Sequence, residues 1–211
     1  LGLGLFSHTV TISLRSIDTG HGPYTTGFEI ASFLAWVIVV IYFFIEFKYK
    51  IKDLGAFVIP VVFLILLFSA FQSREFSLID ESSTMFWLTM HRTLSIIGYA
   101  AFAIAFGAAV MYLIQENQVK TKKLGVMYFR MPSLEVLDNL NYKVISIGFP
   151  LFTLGFMTGS IWNIKTDESF AWDPIRTLPL IVVWLVYCSI FFGRLLVGWR
   201  GKKAAQGAIL G

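Results

Sequence analysis

Residues 27–47 read GFEIASFLAWVIVVIYFFIEF. The charged residues in this run are Glu29 and Glu46, one close to each end. About 20 apolar residues at 1.5 Å per residue cross the roughly 30 Å of a bilayer's hydrocarbon core as an α-helix. A spanning β-strand would instead alternate polar and apolar residues, and no such alternation is present. The run therefore predicts a membrane helix.

Working outward from it, the same kind of block recurs at Leu54–Phe71, Phe86–Ile114, Val144–Ile164 and Thr177–Gly198. These blocks and Gly27–Phe47 are complete. Partial blocks lie at Leu1–Leu14 and from near Lys203 onward. The composition agrees: 56% of the 211 residues are hydrophobic, 14% are charged, and mean hydropathy is +0.72. A soluble domain averages about 25% charged residues and has no way to hide so much apolar surface. The expectation is an all-α polytopic membrane helix bundle of at least six transmembrane helices, with seven or eight in the intact protein. Residues 1–211 read as a single transmembrane domain. The chain opens on Leu1 inside a block and closes inside another, so it is expected to be truncated at both ends.

Charge between the blocks sets the orientation. Eleven basic residues follow the second, fourth and sixth blocks: Lys48, Lys50, Lys52, Lys120, Lys122, Lys123, Arg130, Lys143, Arg200, Lys202 and Lys203. Four lie in the alternate loops: Arg15, Arg74, Lys165 and Arg176. The positive-inside rule makes the first set cytoplasmic and the second outward-facing. The net charge of +4 and pI of about 9.2 are thus topology signals rather than a nucleic-acid footprint. The cytoplasmic stretch MPSLEVLDNLNYK, residues 131–143, reads either as a short surface helix or as a charged loop. The single cysteine, Cys188, lies within a block, which excludes disulfides and cysteine metal sites within this chain. Arg194 is expected to snorkel to the cytoplasmic interface.

The chain has three histidines. Histidine is costly in hydrocarbon and is a common haem ligand. His91 lies near the outward end of its block, and His21 lies in the first outward loop. The outward loop KTDESFAWDPIR, residues 165–176, adds Phe170, Trp172 and Asp173. Flat aromatic faces beside an imidazole suit a porphyrin, although tryptophan at an interface is ordinarily an anchor. His91 has a second reading as an interfacial histidine bonded to a carbonyl, and His21 as a loop histidine capping a helix. His8 is expected to bond to Thr9, Thr11 or a neighbouring helix. Glu29 either orients an outward histidine or is solvated. Trp87, Trp162 and Trp199 read as belt anchors, and Trp36 and Trp184 as packing. Ionisable residues inside the blocks are too few for coupled transport.

Several spaced motifs resemble the cytochrome c assembly family, CcsA with its relatives CcmC and CcmF. They are TGHGPYTTGFEIASFLAW (19–36), HRTLSIIGYAAF (91–102), LDNLNYKVISIGFP (137–150), GFPLFTLGFMTGSIWN (148–163), SFAWDP (169–174) and FGRLLVGWRGKKAA (192–205). The resemblance implies haem handling at the outward face of a bacterial or organellar inner (cytoplasmic) membrane. Haem b, as substrate or bound ligand, is presented to apocytochrome c for thioether attachment, with a CcsB-like membrane subunit as partner and no nucleic acid involved. It places the metal ligand on His91 and further haem contacts on His21, Phe170, Trp172 and Asp173. It leaves open whether the chain is part of a holocytochrome c synthase (haem lyase) complex.

Two departures stand out. The family's tryptophan-rich signature survives only as Trp-Asp-Pro from Trp172, with Phe170 as an aromatic substitute. The family's intramembrane histidine aligns with Phe192. Both also resemble the HemX subgroup. The alternative is therefore a non-catalytic membrane protein that regulates haem biosynthesis through a partner.

Overall fold

The computed structural model describes residues 1–75, 85–122, 125–165 and 174–211. Its helices are α1 (Gly2–Thr19), α2 (Gly27–Tyr49), α3 (Gly55–Ala70), α4 (Met85–Thr121), α5 (Val126–Arg130), α6 (Leu134–Lys165), α7 (Pro174–Val197) and α8 (Lys202–Leu210). A 3-10 turn, Lys52–Leu54, leads into α3, and no strand occurs among the described residues. Five segments are long and apolar enough to cross a membrane: Gly27–Tyr49, Lys52–Ala70, Phe86–Thr121, Leu134–Lys165 and Thr177–Val197. They correspond to the five complete blocks. The partial blocks become α1 and α8. The protein is an all-α, multi-pass membrane helix bundle.

Two helices run beyond their apolar blocks. Over its 37 residues α4 extends to Thr121, a rise of about 55 Å, and so projects past the hydrocarbon. The Lys120–Glu116 pair at 2.7 Å stabilises its last turns in water. The lead-in to α6 is neither a separate surface helix nor a loop from Leu134 onward. Leu137, Leu140, Asn141, Val144, Gly148, Phe149 and Phe152 are buried in one continuous phase, so a single helix satisfies both the amphipathic turn and the span. Its start is set by Ser133, whose hydroxyl accepts the Val136 N–H at 3.4 Å. α2 begins on a capping box. Thr26 caps the Glu29 N–H at 3.2 Å, and the Glu29 carboxylate accepts the Thr26 N–H at 3.3 Å.

The most extensive helix pair is α4 with α6. Lipid tails are as apolar as leucine, so burial alone gives these helices no reason to associate. Close van der Waals approach does, and small residues permit it. A Cβ added at Gly148 would lie 2.6 Å from Ala101 Cβ, and one at Gly98 would lie 3.0 Å from Phe152 Cα. One at Gly155 would meet the Ser95 backbone nitrogen at 2.9 Å. On the same face of α4, Ala101, Ala105, Ala108 and Ala109 are buried. Phe102 of α4 stacks on Tyr187 of α7 at 3.5 Å between ring centroids, and α8 packs Ala204, Ala205 and Ala208 inward. The outer surfaces of α3 and α7 remain apolar and exposed, through Phe63, Leu64 and Phe68 on one and Leu178, Val182 and Leu185 on the other, as a bilayer requires.

Arg194 does not snorkel. Its Nη1 donates to both Asp138 oxygens at 2.8 Å, and its guanidinium lies over the Tyr142 ring at 4.4 Å. Asp138 also accepts the Gly201 N–H at 2.8 Å, which joins the α7–α8 connection to α6. Snorkelling treats a helix as if it were alone. Here a carboxylate on the adjacent helix takes the charge.

Candidate functional site

The site lies where the N-terminal ends of α2 and α4 meet the C-terminal ends of α1, α3 and α6. Gly20 closes α1 in the left-handed region, at φ 73°, and the chain turns through residues 20–26 into α2. This turn is fastened to α4 at two points. Tyr24 Oη lies 3.2 Å from Thr89 Oγ1, and Arg92 Nη1 donates to the Tyr24 carbonyl at 2.6 Å.

Beneath the turn lies Glu29, only 2% exposed and paired with Arg15 Nε at 2.7 Å. It is therefore buried, not solvated. Besides the Thr26 N–H it accepts the Thr25 N–H at 3.0 Å and the Thr25 hydroxyl. The Thr25 Oγ1 also lies 3.5 Å from His21 Nε2, but its one proton goes to Glu29. His21 Nδ1 lies 3.0 Å from the Gly22 carbonyl, which makes Nδ1 its donor. Arg15 and Arg74 both lie over Phe28, at 5.1 and 5.0 Å from its centroid, and Arg15 Nη2 donates to the Arg74 carbonyl at 3.1 Å.

His91 sits in the second turn of α4, against α6. Its Nδ1 lies 2.7 Å from the Gly155 carbonyl. A carbonyl only accepts, so Nδ1 carries a proton, and in the neutral ring Nε2 keeps its lone pair. Histidines that bind metals commonly donate their other N–H to a carbonyl in this way, which fixes the tautomer. The ring rests where Gly159 has no side chain: a Cβ there would lie 2.6 Å from Nδ1. Both readings of His91 therefore meet in one geometry, since the carbonyl bond of the interfacial reading leaves free the nitrogen that a ligand needs.

His91 lines a cavity of about 250 Å³ among α2, α4, α6 and α7. Ile30, Leu34, Ile96, Phe152, Phe156 and Leu180 form its apolar walls, and Arg92, Ser95 and Tyr99 are its other polar members. His21 is not among its lining residues. His8 lies elsewhere, with Nε2 2.9 Å from Ser32 Oγ of α2, which is the neighbouring-helix partner expected for it. Trp36 and Trp184 pack as expected, donating to Thr9 Oγ1 at 2.8 Å and Thr153 Oγ1 at 3.0 Å. Phe170, Trp172 and Asp173 lie outside the described residues.

His91 Nε2 could serve a metal as a single protein ligand. Among the described residues no three His, Cys, Asp or Glu side chains converge. A metal held by His91 would therefore need its other ligands from outside these side chains, as a porphyrin could provide. The cavity is below the roughly 300–1,000 Å³ that engulfs a drug-sized ligand, so a macrocycle placed there would be only partly enclosed.

Sequence reasoning missed Arg92, Tyr24 and the glycine cradle. Two signals were present: an arginine inside an apolar block next to His91, and the G-x-x-x-G spacing of Gly155 and Gly159.

Residues 25–211 match the family model described as "Cytochrome C assembly protein", from just before the α2 capping box to the end of the chain. Over 243 aligned residues the chain is 30% identical to the cytochrome c biogenesis protein CcsA of Chlorella vulgaris, covering 100% of this chain and 77% of that protein. It is 28% identical to CcsA of Guillardia theta, over 99% of this chain and 76% of that protein. CcsA of Pyropia yezoensis is also 28% identical, over 96% and 76% respectively. With the match spanning nearly every described element of the bundle, the chain belongs to the cytochrome c assembly protein family.

Proposed function

We propose that this protein serves c-type cytochrome biogenesis by holding haem b at the outward face of a bacterial or organellar inner membrane and presenting it to apocytochrome c. The observation that carries the reading is His91. Its Nδ1–H is committed to Gly155 at 2.7 Å, and its ring lines an apolar cavity. An imidazole with Nε2 unprotonated and its tautomer locked is prepared to ligate iron.

In this reading His91 would ligate the haem iron through Nε2. His21 lies on the loop that Tyr24 and Arg92 fasten beside it, and joins the haem contacts together with Phe170, Trp172 and Asp173. The acceptor supplies a Cys-x-x-Cys-His segment. Each thiol adds across one haem vinyl group, with sulfur going to one carbon and the proton to the other, so no oxidant is consumed. The chain contributes orientation, which brings both reactants into near-attack geometry, and Cys188 takes no part. A CcsB-like membrane subunit is the expected partner.

An absorption spectrum of the purified protein tests this reading. The wild type should show a Soret band that His91→Ala abolishes or shifts. A correctly folded wild type that neither retains nor takes up haem would overturn it. Deletion in the cell should abolish holocytochrome c. A change confined to haem-precursor levels would favour the HemX-like alternative.

A further inference from the structure

The His91 cavity contains a cation whose bonding is incomplete. Arg92 is half-buried and lines the same cavity as His91. A guanidinium has five N–H donors. One of those of Arg92 goes to the Tyr24 carbonyl at 2.6 Å, and no carboxylate pairs with it among the described residues. Glu29 is near enough to attract the charge of Arg92, but it makes no bond to it and bonds Arg15, Thr25 and Thr26 instead. The contrast with Arg194 is instructive. That arginine is also embedded in the bundle, and it has both a carboxylate at 2.8 Å and an aromatic face. An arginine kept in an apolar cavity with donors to spare is costly unless something anionic occupies them.

We infer that Arg92 is the anchor for a carboxylate side arm of the porphyrin whose iron His91 ligates, so the cavity selects carboxylate-bearing porphyrins. This inference rests on the haem-handling reading above. The juxtaposition is specific to such a ligand. One cavity offers an imidazole for the metal, a planar guanidinium for a carboxylate and aliphatic and aromatic walls for the ring. Haem carries all three complements: iron, propionates and an apolar macrocycle. Guanidinium matches carboxylate geometry through paired N–H donors, whereas an ammonium acts as a point charge. The bond to Tyr24 gives Arg92 a second task, because it fastens the loop bearing His21 to the same cavity wall. Filling the remaining donors should therefore also hold that loop in place.

The test compares ferric haem, its dimethyl ester and iron-free protoporphyrin IX, titrated into the purified full chain in detergent or nanodiscs. Wild type should bind haem on the order of tenfold or more tightly than the ester, the range expected of a charge-assisted hydrogen bond. Protoporphyrin IX, followed by its fluorescence, should show the same preference over its own ester. Arg92→Gln should bind haem and ester equally, with the Soret maximum at the wild-type position because His91 is untouched. Arg92→Lys should recover part of the discrimination. Wild type binding haem and ester with equal affinity would overturn the inference, and this measurement needs no variant to fold. Full discrimination retained in Arg92→Gln would overturn it too. Failure of the haem reading itself looks different, because wild type would then bind none of the three porphyrins.

Discussion

Asp138→Asn isolates the contact that locks α7 and α8 to α6. The side chains of Arg194 and Asp138 are 9% and 14% exposed, so the pair is largely desolvated. Asparagine keeps one acceptor oxygen but removes the charge, and it turns an NH2 group toward the guanidinium. Removing one partner of a buried pair costs about 3–5 kcal/mol, because the other charge is left uncompensated. Asparagine keeps one acceptor within reach of Arg194, which offsets about 1 kcal/mol of this. The net expectation is about 2–4 kcal/mol, or a fall in melting temperature on the order of 4–16 °C for a chain of this size. Thermal unfolding in detergent, read by a thiol-reactive dye, is a suitable assay. Cys188 is the only thiol, and it lies on α7 upstream of Arg194. The double variant with Arg194→Met should recover about 2 kcal/mol relative to additivity, since it removes the stranded charge. A destabilisation below about 0.5 kcal/mol, with no coupling in the cycle, would refute the argument and restore snorkelling.

Two further perturbations act on the site. Gly159→Ala places a methyl group 2.6 Å from His91 Nδ1, so the ring must rotate off the Gly155 carbonyl. Haem titration should show affinity falling by about tenfold, and a dissociation constant within twofold of wild type would mean that the ring relaxes without consequence. Glu29→Gln removes the partner of Arg15 and weakens the capping box, at a cost of about 2 kcal/mol, because Arg15 is itself 20% exposed. Amide hydrogen exchange should rise across residues 20–26 while the α4–α6 pair keeps its protection. Unchanged exchange in that loop would show that Glu29 does not hold it.

The spans follow from the amino-acid sequence alone, and the reason is local. With no water in the hydrocarbon core, each segment must satisfy its own backbone hydrogen bonds, so an apolar block such as residues 27–47 has only the helix available to it. The sequence also marks which side chains are worth attention, since His91 and His21 are rare polar residues among apolar blocks. Tertiary structure decided which helix faces meet. An all-apolar helix in lipid has no hydrophobic side to announce, and α3 carries no charged residue between Gly55 and Ala70 to orient it. The contacts that count are therefore steric and polar matches between distant positions. Gly159 cradles the His91 ring, Gly155 sets its tautomer, Asp138 takes the charge of Arg194, and Arg92 enters the His91 cavity. None of these follows from periodicity, because each depends on a partner some fifty residues or more away in the chain.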